Sequence, residues 1–156
     1  SINDKIVFNF IGSGRYKLKL KKLVSENNLK SSIIFFDKVN TEDLIPFFEN
    51  THYLYLSLKD NPIFSETVPA KLQTYLTLGK PIISSISGET KDLLTQNNCG
   101  FHLDSGDELG LTKIFNHLGN VSNSQYAEFS KNSKRLYQLN FLSENRKIQI
   151  FKNIFN

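Results

Sequence analysis

"ETVPAKLQTYLTLGKPIISS", from Glu66 to Ser85, is the stretch that decides the fold. Proline suits the first turn of a helix, where its missing N–H would have no partner anyway. Leu72, Tyr75 and Leu76 then recur at helical spacing, Gly79 supplies a left-handed stop, and "PIISS" reads as a short buried strand. A helix leading directly into such a strand is the repeating unit of a parallel sheet covered by helices. The helix start carries a second message. Val68, ahead of the proline, is biased towards extended backbone. With Val68 as N-cap, no side chain satisfies the N–H groups of Ala70 and Lys71. Those donors, with the positive end of the helix dipole and the Lys71 ammonium nearby, make an anion site. Ser65, Glu66 and Thr67 stand in the loop above, placed to meet a ligand's hydroxyls. The competing reading is that Thr67 or Ser65 caps the helix and Lys71 points into water.

Working outward, the same alternation recurs. "KIVFNFIG" (Lys5 to Gly12), "SIIFFDK", "HYLYLSL" and "CGFHLD" read as further strands. "RYKLKLKKLVSENN" reads as a helix with Tyr16, Leu20, Leu23 and Val24 as its apolar face, and "TEDLIPFFEN" as a short helix capped by Thr41. "GETKDLLTQNN" and "DELGLTKIFNHL" are helices, and two more, around Gln125 to Gln138 and Leu142 to Phe155, finish the chain. Five strands alternating with helices predict an α/β fold built on a doubly wound parallel sheet, with two extra C-terminal helices. Ligands of that architecture bind beyond the carboxyl ends of the strands.

The bulk composition agrees. The 156 residues fit one domain, 1–156, and their 39% hydrophobic and 22% charged content is that of a globular chain rather than a disordered one. A net charge of +4 fits an anionic ligand or a membrane surface, and equally a set of solvated lysines. The single cysteine, Cys99, excludes an internal disulfide and argues for a reducing compartment; it reads as a buried, inert thiol. No apolar run approaches the ~20 residues that span a bilayer. His52, His102 and His117 are isolated and read as surface or satisfied core residues, and no His/Cys/Asp cluster has metal-ligand spacing. No polar surface with interleaved aromatics suggests nucleic acid. A chain that opens on Ser1 and contains no methionine reads as a piece excised from something longer.

A second candidate site is "GSGR", Gly12, Ser13, Gly14 and Arg15. Glycines between a strand and a helix let backbone N–H groups approach a phosphate, and Arg15 adds charge-assisted hydrogen bonds. A dinucleotide fingerprint needs a third glycine where Lys17 stands, although Asp37 lies where a ribose-binding acid would sit. A plain strand-to-helix turn explains the glycines as well.

The stretch "ETVPAKLQTYLTLGKPIISSISGETKDLL", followed by "NNCGFHL", resembles the donor-site segment of family 4 glycosyltransferases of the GT-B fold. "FIGSGRYKLKLKKLV" is similar to their glycine loop and following helix, and "IIFFDKVNTEDLIPFFENTHYLYLSL" to the segment before the donor loop. The nearest flavour is the bacterial surface-polysaccharide branch. The resemblance implies a Rossmann-like C-terminal half of a two-domain enzyme that moves a sugar from a nucleoside-diphosphate-sugar to a polysaccharide or lipid-linked acceptor, with retention.

It further implies UDP-sugar or GDP-sugar as donor, with the base near Lys38 and Val39 and the diphosphate on Thr67, Val68, Pro69, Ala70 and Lys71. Glu89, after Gly88 at a helix start, reads as an ordinary first-turn acid, or, as the resemblance implies, as a residue that would touch the sugar. The family's carboxylate pair, separated by seven residues, maps onto Ser65 and Gln73. Glu66, one position displaced, would stand in as the catalytic acid, and Gln73 would hydrogen-bond ribose hydroxyls. No metal and no other cofactor are expected. The acceptor would be held by an N-terminal domain missing from this chain, so this piece alone would be inactive. The parent would be cytoplasmic, peripheral at the inner face of the membrane. The alternatives are a flavodoxin-like module, whose phosphate-accepting form needs acids where Ile11, Gly12 and Ser57 stand, and an NAD-type domain.

Overall fold

A computed structural model of the chain describes residues 6–59 and 67–142. Among them the strands β1 (Phe8–Ile11), β2 (Ile33–Phe36), β3 (Leu54–Ser57), β4 (Ile82–Ser85) and β5 (Gly100–Leu103) alternate with helices α1 (Lys17–Glu26), α2 (Ile45–Glu49), α3 (Ala70–Leu78), α4 (Glu89–Gln96), α5 (Glu108–His117) and α6 (Asn123–Asn140). All strand pairing is parallel, as the alternation predicts. β1 pairs with β2 in the register Phe8↔Ile33, and β3, β4 and β5 form a second ladder with Leu54↔Ile82 and Ile82↔Gly100. The chain divides into two compact units. One holds residues 6–50 and 115–119, the other 51–59, 67–114 and 120–142.

The second unit contains the principal core. Leu56, Leu72, Leu76, Ile82, Leu94, Cys99 and Leu136 form one buried cluster, with Val68, Tyr75, Leu93, Tyr137 and Phe141 packed against it. The helical spacing of the α3 leucines therefore reads correctly: Leu72 and Leu76 are fully enclosed. Strand β4 is buried along its whole length, which is why it is a continuous run of Ile and Ser rather than an alternating one. Two glycines are dictated by position. Gly79 ends α3 at φ 60°, ψ 37°, and the aliphatic stem of Lys134 from α6 lies where a Cβ would stand. Gly100 opens β5 at φ 142°, and any Cβ there would collide with the carbonyl oxygen of Ile82. Helix α6 starts at Ser122, whose Oγ accepts from the N–H of Gln125 at 3.2 Å.

The first unit departs further from expectation. Of the apolar face predicted for α1, only Val24 is buried; Tyr16 is 53% exposed and Leu20 and Leu23 are exposed as well. Strand β1 is not enclosed on both faces either, since Asn9 and Phe10 are exposed. Its Phe10 stacks on Phe35 with centroids 5.3 Å apart, and Phe8 meets Phe115 edge-on. Thr41 makes no capping hydrogen bond. The segment it opens is a 3-10 turn, Glu42–Leu44, running into the five-residue α2. Pro46, in the first turn of α2, provides no N–H to continue a single helix across the junction. The final helix expected over Leu142 to Phe155 lies, from residue 143 on, outside the described residues, and so do Ser65 and Glu66.

Candidate functional site

In the second unit, α3 begins one residue later than its sequence implies. Pro69, not Val68, is the N-cap, extended at φ −67°, ψ 139°. The pyrrolidine ring fixes φ but leaves ψ free, so proline itself can take the half-in position. It has no side-chain acceptor to offer. The first turn closes by the N–H of Leu72 donating to the Pro69 carbonyl at 2.9 Å. The N–H groups of Ala70 and Lys71 have no acceptor among the described residues, and both residues are exposed. Gln73 follows on the exposed surface of the same helix. Backbone donors left open at the positive end of a nine-residue helix, with a lysine on it, are chemically suited to an oxyanion.

Two contacts hold this turn in place. Val68 packs against the buried cluster, and the carbonyl of Thr67 accepts a hydrogen bond from Thr90 Oγ1 at 3.1 Å. Thr90 is fully buried in the first turn of α4. The N-cap of α4 is Gly88 at φ 79°, ψ −151°, a conformation open to glycine. It lets Glu89 stay exposed while Thr90 turns inward. The structure thus ties Thr67, and the chain that runs from it through Val68 and Pro69 to Ala70 and Lys71, to the first turn of α4, where Glu89 is the exposed neighbour of Thr90. Sequence reading missed Thr90; its one signal was an apolar partner four residues on, Leu94, which shares its buried face.

Hydroxyls also tie the carboxyl ends of this ladder. Ser105 Oγ donates to the Leu58 carbonyl at 2.8 Å, the Ser105 N–H donates to Ser87 Oγ at 3.2 Å, and Ser85 Oγ donates to the Asp104 carbonyl at 3.3 Å. Lys91 pairs with Asp104 at 2.8 Å. Deeper in, His102 shares a hydrogen bond with Ser84 Oγ through Nδ1 at 2.9 Å, while its buried Nε2 has no partner among the described residues. Burial drives its pKa down to about 4. Cys99 is buried and its thiol is pushed up to about 11, chiefly by burial, so it is no nucleophile at neutral pH.

In the first unit, Gly12 to Arg15 follow β1, and Lys38 and Val39 follow β2, so both groups sit at the carboxyl end of that ladder. Gly12 takes φ 141°, and a Cβ added at either Gly12 or Gly14 would meet no atom within 4 Å, so conformation rather than crowding demands the glycine at 12. Ser13, Gly14, Arg15 and Lys38 are exposed and Val39 is half-buried. Arg15 lies over the Tyr16 ring, 5.1 Å from its centroid. Lys17 turns away from water. Its side chain is only 15% exposed, and Nζ donates to the Gly12 carbonyl (2.8 Å), the Phe36 carbonyl (2.6 Å) and Asp37 Oδ1 (2.8 Å). That hydrogen bond, with the charge of Lys17, holds the Asp37 carboxyl below its ordinary range. Lysine at the third-glycine position thus bolts the glycine loop to the end of β2. Among the described residues no three His, Cys, Asp or Glu side chains group as a metal site, and no helix is long and apolar enough to cross a membrane.

A parallel α/β chain with an open helix start at the strand tips has the architecture on which many nucleotide- and phosphate-binding domains are built. The family is narrower. Residues 1–136 match the family described as glycosyl transferases group 1, and the chain belongs to it. No curated protein matches the sequence. Solved structures resemble it in fold. A glycosyltransferase from Rickettsia africae superposes with a TM-score of 0.75 at 14% identity, over 97% of this chain and 41% of the other. Anabaena HepE, in complex with UDP and glucose, gives 0.72 at 15% identity, over 96% of this chain and 41% of the other. The C-terminal domain of the group 1 family protein LpcC from Francisella tularensis gives 0.64 at 12%, over 82% and 63%. The chain therefore spans about two fifths of the length of the first two, and its fold is that of the Rossmann-like C-terminal domain of GT-B glycosyltransferases.

Proposed function

We propose that this chain is the donor-binding half of a retaining glycosyltransferase of the family 4, surface-polysaccharide type, which takes a sugar from UDP or GDP and passes it to a polysaccharide or lipid-linked acceptor. The observation that carries the reading is the pair of amides at Ala70 and Lys71 with no acceptor among the described residues, at a helix start tied through Thr67 to Thr90, within a chain of the glycosyl transferases group 1 family. When the bond from the anomeric carbon to the diphosphate breaks, negative charge grows on the departing phosphate. Fixed N–H dipoles and the Lys71 ammonium are arranged to stabilise it without metal. Glu89, exposed at the start of α4, is placed to accept from sugar hydroxyls, and Gln73 from ribose hydroxyls. Lys38 and Val39 are assigned to the base and the loop with Ser65 and Glu66 to the sugar. Gly12, Ser13, Gly14 and Arg15 are assigned a supporting role at the diphosphate. An N-terminal domain would hold the acceptor, so the piece alone binds donor and transfers nothing. The parent would work in the cytoplasm, peripherally at the inner membrane face.

Titration of the 156-residue chain with UDP, GDP and NAD, followed by amide chemical shifts, tests this. UDP or GDP should move Ala70 and Lys71, and Lys71→Ala should weaken that binding about tenfold, as loss of one charge-assisted contact does. A response to NAD alone, centred on Gly12 to Arg15, would overturn the proposal in favour of a dinucleotide module.

A further inference from the structure

We infer that Thr90 is the positioning residue of the anion-binding turn: a buried hydroxyl that fixes the Thr67 carbonyl and thereby sets the aim of the Ala70 and Lys71 amides. The function assigned to that turn rests on the reading above, but the positioning itself rests on geometry alone. Thr90 has no solvent exposure, so its hydroxyl cannot turn to water. Its hydrogen bond reaches across 23 residues of sequence to a loop carbonyl, where a threonine in a helix usually bonds back along its own helix. A β-branched side chain is stiff at χ1, so the oxygen is held in one place. From Thr67 the chain runs through Val68, which packs on the core, to Pro69, whose φ is locked by its ring. Three successive residues are thus fixed by three different means: a hydrogen bond, packing and covalent geometry. The N–H groups of Ala70 and Lys71, which have no acceptor among the described residues, come immediately after them. On the other side Gly88, at φ 79°, is the N-cap of α4, in whose first turn Thr90 is buried and Glu89 is exposed.

The test compares Thr90→Val, which keeps the shape and removes the donor, with Thr90→Ser, which keeps the donor and removes a methyl group. Two readouts are needed. Amide hydrogen exchange in the absence of ligand should speed up about tenfold at Leu72, whose N–H closes the turn onto the Pro69 carbonyl, in Thr90→Val, remain unchanged in β4 and β5, and return to the original pattern in Thr90→Ser. Titration with UDP and GDP should then show binding about tenfold weaker in Thr90→Val and restored in Thr90→Ser. Uniform acceleration throughout the second unit would mean a purely structural role and overturn the inference, as would unchanged exchange at Leu72. Failure of the original chain to bind either nucleotide would defeat the functional reading while leaving the exchange pattern to decide the role of Thr90. Should Thr90→Val not fold, Thr90→Ala, which also lacks the donor, is read by the same two criteria.

Discussion

His102 shows what a single residue contributes here. A neutral imidazole with one ring nitrogen shared with Ser84 and the other buried bare is tolerated only while it stays uncharged. Its pKa is near 4 in the folded chain, against 6.5 when unfolded, so between those values the unfolded state binds a proton that the folded state refuses. Stability must therefore fall as pH drops from 6.5 towards 4 and level off below, by up to about 3 kcal/mol from this group. Urea denaturation at about pH 7 and about pH 4.5 measures it; His102→Leu should flatten the slope, and an identical slope in both proteins would remove His102 as its source. The sequence marked His102 as an isolated histidine, at the surface or satisfied in the core, and the bare Nε2 departs from that reading because it depends on what is packed around β5. The role of Lys17 was illegible for a related reason. A lysine among lysines on a helix looks solvated, and only the meeting of the β1 and β2 ends reveals three oxygens waiting for it.

At the scale of elements, α3 was the most legible part of the chain. Its apolar face, its glycine stop and its uncapped start all follow from local rules, because each depends on residues within a few positions of one another. The apolar face of α1 was not legible in this way: helical spacing identifies a stripe but not whether anything covers it, and here Leu20 and Leu23 remain exposed. The uncapped start of α3 makes a sharp prediction. Pro69→Asp supplies the missing capping side chain, worth about 1 kcal/mol, against roughly 0.5 kcal/mol lost with proline's rigidity. Thermal melting should show a chain as stable as the original or slightly more so. The new carboxylate would occupy the very donors proposed for the diphosphate, and binding of UDP and GDP should fall at least about tenfold. A folded Pro69→Asp chain that binds as before would show that the anion does not rest there.

For the molecule as a whole, the two units are built to different standards. Apart from Val24 and Ser32, every buried residue of the described chain belongs to the unit of β3, β4 and β5. A two-stranded parallel ladder with little enclosed apolar surface opens at low free energy. Native-state hydrogen exchange should therefore find the amides of β1 and β2 markedly less protected than those of β4 and β5, and equal protection would contradict this account. The alternation of elements announced the parallel α/β class, but not this imbalance, since burial is a property of assembled faces and the sequence shows only their pattern. The better-built unit also fixes how far the polypeptide can be trimmed. Leu136 lies in the buried cluster, Tyr137 and Phe141 lean on it, and the stem of Lys134 covers the stop of α3. A minimal fragment for crystallisation or ligand screening must run to Phe141: cutting at the family boundary of residue 136 would strip two aromatic flanks from the very core on which the donor turn is mounted.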